Sequence, residues 1–135
     1  IEPNKVYIAP GGRHMVVRKK EVGGTGSRVM TLALTDQPPV HNCRPSVDVL
    51  FRSVSAQFGG GILAVVMTGM GSDGKDGVRV MKRQGCLCLT QTEETCVVYG
   101  MPRAVDENGL SDEQVPLDRL ASRITKLVGN PAAAL

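Results

Sequence analysis

The chain has 135 residues, 41% hydrophobic and 21% charged, which is room for one globular domain with a real core and too little for two. Its formal charge of +3 is carried by scattered lysines and arginines, and 3% aromatic residues leave few stacking platforms, so no nucleic-acid interface is expected. The longest apolar run, residues 62–67, is too short to cross a bilayer, and the opening "IEPNKVYIAPGG" lacks the basic-then-apolar plan of a signal peptide, so the sequence reads as a soluble, cytoplasmic protein with no membrane insertion.

In chain order, "KVYIAP" predicts a short strand stopped by Pro10-Gly11-Gly12, and a strand so close to Ile1 suggests a segment of something longer. "HMVVRKK" and "RVMTLAL", separated by "EVGGTGS", predict an antiparallel β-hairpin. The linker "TDQPPVHNCRP" contains three prolines and reads as a surface loop. From Ser46, the expected N-cap, the period changes to about 3.6, with Val47, Leu50, Phe51, Val54 and Phe58 on one helical stripe and Asp48, Arg52, Ser55 and Gln57 facing elsewhere.

"GILAVVM" reads as a strand buried on both faces, as in a parallel sheet. The loop "TGMGSDGKDG", the helix "GKDGVRVMKRQ" and the strand "CLCLTQ" complete one βαβ unit, whose crossover is expected to be right-handed. "TEETCVVYG" and "MPRAVDEN" predict short helices, the second started by Pro102 and stopped by Gly109, and "PLDRLASRITKLV" predicts an amphipathic terminal helix ahead of a small "PAAAL" tail. The fold class is α/β: a mostly parallel sheet with flanking helices, Rossmann-like and three-layered, plus the antiparallel hairpin.

Cys43, Cys86, Cys88 and Cys96 form no C-x-x-C pair and read as reduced thiols. Cys86 and Cys88 would share a strand face, but the two histidines, His14 and His41, are distant in sequence, so buried small hydrophobes are the better reading than a metal site.

The loop after the apolar strand admits three readings. Gly69, Gly71 and Gly74 spell G-x-G-x-x-G, which suits a dinucleotide pyrophosphate with Glu93 or Glu94 on the ribose. Against it, Asp73 puts a negative charge where the helix amides would meet an anion. A metal reading has only Asp73 and Asp76 to offer, without an EF-hand pattern. In the third reading Asp73 lies beyond the C-terminal end of a parallel strand and orients a histidine during acyl transfer; its bland counterpart is a helix N-cap.

"VYIAPGGRHM", "RPSVDVLFRSVSAQFG", "VVMTGMGSDGKDGVRVMKRQG" and "TCVVYGMPRAV" occur in the order found in the catalytic domain of CheB-type protein-glutamate methylesterases of chemotaxis, which the chain resembles over residues 5–128. The resemblance implies a Ser-His-Asp hydrolase of glutamyl methyl esters on methyl-accepting chemotaxis receptors, often also a protein-glutamine deamidase, with no cofactor and no metal. It places the triad aspartate at Asp73, with Met70, Gly69 and Gly71 lining the oxyanion side. The family's serine and histidine motifs precede the point where this chain begins, so 1–135 is expected to be one N-terminally truncated catalytic domain, inactive alone. His14 matches a position outside the triad and reads as structural or site-lining, and Cys43 stands where the family has histidine. A substitute triad of Ser46, His41 and Asp73 is disfavoured because Ser46 reads as a helix cap. An N-terminal receiver domain is a further partner the resemblance implies, and the rival reading is a module of the same fold that docks receptors or a regulator without chemistry.

Overall fold

The computed structural model describes residues 1–24 and 26–129; the tail "PAAAL" and Thr25 of the hairpin connection lie outside them. The hairpin is formed by β1 (His14–Val22) and β2 (Ser27–Thr35), paired antiparallel with His14 opposite Thr35. Helix α1 (Val47–Phe58) lies against β1, where the Val17 amide donates to Ser53 Oγ at 2.9 Å. The parallel sheet consists of β3 (Leu63–Val66), β4 (Leu87–Gln91) and β5 (Glu113–Val115), in the order β3-β4-β5. Helix α2 (Lys75–Lys82) crosses from β3 to β4, α3 (Met101–Asp106) follows a single 3-10 turn at Glu93–Thr95, and α4 (Leu117–Gly129) closes the described chain.

The period-2 alternation of the strands sorts their side chains into two cores. Ala64, Val66 and Cys88 point to one face, where Val78 and Met81 of α2 and Val105 of α3 cover them. Leu89 and Val115 point to the other, under Leu120 and Leu127 of α4. Both faces of the sheet are therefore covered, as parallel pairing demands. Cys86 and Cys88 lie inside the first core, and burial, ahead of the neighbouring Asp112, pushes the Cys88 thiol up to about 12. It is a small hydrophobe in place, not a thiolate ligand.

Three expectations are corrected. Residues 5–10 form no strand: "KVYIAP" has β propensity but pairs with nothing among the described residues, and Val6 and Ile8 are 90% and 86% exposed. A strand exists only through its partner's hydrogen bonds. Asp48 and Ser55 do not face away from the core but are fully buried, because α1 packs on α2 as well as on β1 and needs two inner faces. Ser55 bonds across to Gln84 just beyond the end of α2 at 2.9 Å. Third, "TEETCVVYG" forms only the 3-10 turn, while β5, three residues with one buried side chain, carries too little pattern to be read from sequence.

The C-terminal edge of the sheet is fixed by buried polar groups. Thr90, fully buried, donates to Asp106 Oδ1 at 2.6 Å, and Tyr99 donates to Asp106 Oδ2 at 2.6 Å. That hydrogen bond, then burial, pushes the Tyr99 phenol up to about 12 from its ordinary 10.0. Because the folded value is the higher one, this stabilisation is complete below about pH 10 and is lost as the pH rises through the folded value. Ultraviolet titration should find one phenol with a midpoint near 12, and Asp106→Asn should bring it down toward 10; a midpoint unmoved by the substitution would contradict the assignment.

Candidate active site

At the end of β3 the chain turns sharply through residues 67–74 before entering α2. Thr68 is anchored twice: its amide donates to Gln91 Oε1 at 2.9 Å, and its hydroxyl exchanges bonds with the Val98 carbonyl and amide at 3.1 and 2.9 Å. Gln91, fully buried, binds the Thr95 carbonyl through Nε2 at 2.7 Å, so one side chain ties the ends of two parallel strands together. Gly69 continues the clamp, donating to the Val98 carbonyl at 3.1 Å and accepting from Gly100 and Met101 amides at 3.1 and 2.8 Å. Gly71 and Gly74 have φ of 88° and 98°, a left-handed backbone that glycine adopts without strain.

The loop packs so closely on residues 98–101 that Gly100 has no room for a side chain. A Cβ there would lie 2.6 Å from the Gly69 carbonyl oxygen and 3.0 Å from the Gly71 nitrogen, both backbone atoms that cannot rotate aside. Gly100→Ala is therefore expected to displace residues 69–71, lowering stability by about 2 kcal/mol and any activity of the full-length protein that depends on this turn by at least about tenfold. Chemical denaturation and a rate assay would check this, and a variant with wild-type values in both would contradict it.

Asp73 is 3% exposed, and its carboxylate does not cap α2, the helix that follows it. It crosses instead to the N-terminus of α1: Oδ1 accepts from Ser46 Oγ at 2.8 Å and from the Asp48 amide at 3.1 Å, and Oδ2 accepts from the Val47 amide at 2.6 Å. Asp48 returns the arrangement, its Oδ1 accepting from the Gly77 amide of α2 at 2.6 Å. Two helix N-termini thus lie side by side, each holding the carboxylate that belongs to the other. Anions are stabilised at such ends by unpaired amides and the helix dipole. Burial is the largest effect on Asp48 and pushes its carboxyl up from the usual range, with the Asp73 and Asp76 charges adding to it. The amide through which α2 would meet a pyrophosphate is already filled by Asp48, a physical reason against the dinucleotide reading.

A carboxylate offers about four acceptor positions. On Asp73 two are filled at Oδ1 and one at Oδ2, which leaves Oδ2 able to take one more donor. Nearby, no group among the described residues accepts from the amides of Met70 and Gly71, and the Met70 side chain is 83% exposed. The structure therefore puts a buried acid with a spare acceptor and a glycine turn with free amides at the C-terminal end of one parallel strand, where open α/β sheets place their functional groups.

The remaining sequence candidates are placed elsewhere. His14, fully buried, accepts from the Ser46 amide at Nδ1, 3.1 Å, so its proton is on Nε2, which donates to the Pro38 carbonyl at 3.0 Å. It is structural, fastening the proline loop and β1 to the Ser46 cap. Ser46 caps α1, accepting from the Val49 amide at 3.4 Å, and is 2% exposed. His41 does not approach it; its Nε2 lies 3.2 Å from Asp48 Oδ2 and 3.8 Å from Asp76 Oδ2. The substitute triad is not assembled. Asp73 and Asp76 point to different partners, so they share no metal site either, and Glu93 and Glu94 are exposed on the 3-10 turn. Sequence reasoning missed the roles of Asp48 and Gln91, and for His14 gave the structural role without its partners; a polar residue set among apolar ones at the end of "CLCLTQ" was the one available signal for Gln91.

A parallel α/β domain with a conformationally fixed acid in a strand-to-helix turn is an architecture that hydrolases share with other α/β proteins. The chain belongs to the CheB methylesterase family, whose profile matches residues 1–124. It is 44% identical over 128 residues to the protein-glutamate methylesterase/protein-glutamine glutaminase of Desulfotalea psychrophila, covering 95% of this chain and 34% of that protein. The Aliivibrio fischeri protein of the same description is 43% identical over 129 residues, 96% of this chain and 33% of that protein. The crystal structure of the Thermotoga maritima CheB methylesterase catalytic domain superposes with a TM-score of 0.81 at 32% identity, over 90% of this chain and 61% of that one. The chain thus spans about a third of the length of the relatives it matches.

Proposed function

We propose that the protein carrying this chain hydrolyses glutamyl methyl esters on methylated chemotaxis receptors, and deamidates particular receptor glutamines, with Asp73 as the orienting acid of a Ser-His-Asp triad. The observation that carries this reading is the spare acceptor position on the caged Asp73 carboxylate. The serine and histidine come from outside residues 1–135, and these residues alone are inactive, because an orienting carboxylate replaces neither a nucleophile nor a base. β3 pairs only with β4 among the described residues, and its other edge is where further strands of the sheet dock.

The serine attacks the ester carbonyl, passing its proton to the histidine; methanol leaves with that proton, and water attacks the acyl-serine with the same histidine as base. Asp73 accepts the imidazole N–H at Oδ2, fixes the tautomer and stabilises the imidazolium. Its three local donors prevent the carboxylate from rotating away. The amides of Met70 and Gly71 face the developing oxyanion, while Gly69, whose own amide is committed to Val98, shapes the turn. No helix among the described residues is long and apolar enough to cross a membrane, and the proposed protein works in the cytoplasm on the receptors' cytoplasmic helices, gated by a receiver domain. Methanol release from methylated receptor by the full-length protein tests the reading, and no release would overturn it.

A further inference from the structure

Beside the Asp73 cage, on the outer side of the two helix ends, three groups from distant parts of the sequence converge. His41 comes from the proline loop, Asp48 from the first turn of α1 and Asp76 from the first turn of α2. Their ligand atoms all lie within 4.8 Å of one another, with His41 Nε2 3.2 Å from Asp48 Oδ2 and 3.8 Å from Asp76 Oδ2. Asp48 is the buried member of the three. Its side chain is 1% exposed, and Oδ2 accepts no hydrogen bond from any described group. His41 Nε2 lies near but makes no hydrogen bond to it, which leaves a carboxylate oxygen buried without one. Such an oxygen is destabilising unless something cationic meets it.

The cationic side chains nearby do not meet it. Arg79 and Lys75 both approach Asp76 at Oδ1, leaving Oδ2 free to turn inward. The imidazole is 42% exposed and gives an open approach from solvent. Atoms bound to one tetrahedral ion at about 2.0–2.2 Å lie roughly 3.3–3.5 Å apart; the two distances to His41 Nε2, 3.2 and 3.8 Å, bracket that value, and the carboxylates, within 4.8 Å, close on an ion by side-chain rotation.

We propose that His41 Nε2, Asp48 Oδ2 and Asp76 Oδ2 form a three-ligand site for a divalent first-row metal ion of the zinc type, with solvent in the remaining position. One imidazole and two carboxylates suit such an ion better than calcium, which takes oxygen ligands only, and the two carboxylates balance its charge. The site uses no atom of Asp73, whose carboxylate is held by the Ser46 hydroxyl and the Val47 and Asp48 amides. A bound ion clips the proline loop to both helices and steadies the amides that hold Asp73. It also supplies the missing partner of Asp48 Oδ2.

The test uses the full-length protein stripped of metal and titrated with zinc against a chromogenic chelator, with cobalt as a spectroscopic substitute. One equivalent should bind, with a cobalt spectrum in the visible typical of four-coordination, and zinc should raise the melting temperature. His41→Asn, chosen because asparagine tolerates the backbone φ of 50° at this position, and Asp76→Asn should each weaken binding at least tenfold. Cys43→Ser should leave it unchanged, since that thiol, 3.5 Å from the His41 carbonyl, is a competing soft ligand beside the site. Absence of stoichiometric zinc, affinity unaltered by His41→Asn and Asp76→Asn, or affinity lost on Cys43→Ser would each overturn the proposal.

Discussion

Asp73→Asn is expected to lower kcat for methyl-ester hydrolysis by the full-length protein about 10³- to 10⁴-fold, with KM little changed, which is the scale on which a triad loses activity when its acid becomes an amide. The substitution also costs stability. An amide nitrogen replacing one carboxylate oxygen must face a donor of the α1 cap, the Val47 amide on one side or the Asp48 amide on the other, and charge-assisted bonds of this kind are worth about 1.5–3 kcal/mol each. Activity could therefore fall simply because the cap comes apart. Ser46→Ala separates the two effects: it removes a cap and one donor to Asp73 at a cost of about 1 kcal/mol, yet leaves the Oδ2 position open. It should keep activity within about tenfold of wild type. If Asp73→Asn is no less active than Ser46→Ala, Asp73 is a cap and nothing more.

The largest effect on stability is expected at Gly77. A Cβ on this residue would lie 2.6 Å from Phe51 Cβ, 3.2 Å from Asp48 Oδ1 and 3.3 Å from Asp48 Cα, so α1 and α2 touch through it. Alanine gains about 1 kcal/mol of helix propensity over glycine. Against that stand overpacking, about 1–3 kcal/mol, and loss of the 2.6 Å bond from the Gly77 amide to a buried carboxylate, about as much again. The steric and polar losses win, and Gly77→Ala should lower the melting temperature by about 10 °C. A shift of less than about 2 °C would mean that the helices separate at little cost. Because Asp48 and Asp73 are exchanged across this same contact, activity should fall with stability.

The features legible in the sequence are those with local causes. β-rich and continuous apolar runs give the hairpin, β3 and β4, the 3.6-residue period gives the long helices, and Gly71 and Gly74 mark a turn whose backbone only glycine adopts freely. Asp73 stands out because a charge interrupts a phosphate-like glycine pattern. Its partner does not stand out, because it caps a helix that begins 26 residues earlier in the chain. The same reason hides Asp48 and Ser55: a single amphipathic stripe assumes one packing partner, and α1 has two. "KVYIAP" misleads in the opposite direction, since side chains suited to a strand do not create one without a neighbour to pair with. His14 was readable as non-catalytic from its motif, but its bonds to Ser46 and Pro38 depend on the fold.

The central claim is that Asp73 Oδ2 holds the imidazole of a histidine from outside these residues. Proton NMR of the full-length protein, at a pH low enough to protonate that imidazole, tests it most directly. A strongly deshielded imidazole N–H resonance should be present in wild type and in Ser46→Ala and absent in Asp73→Asn with the fold retained. The same resonance persisting in Asp73→Asn would contradict the account.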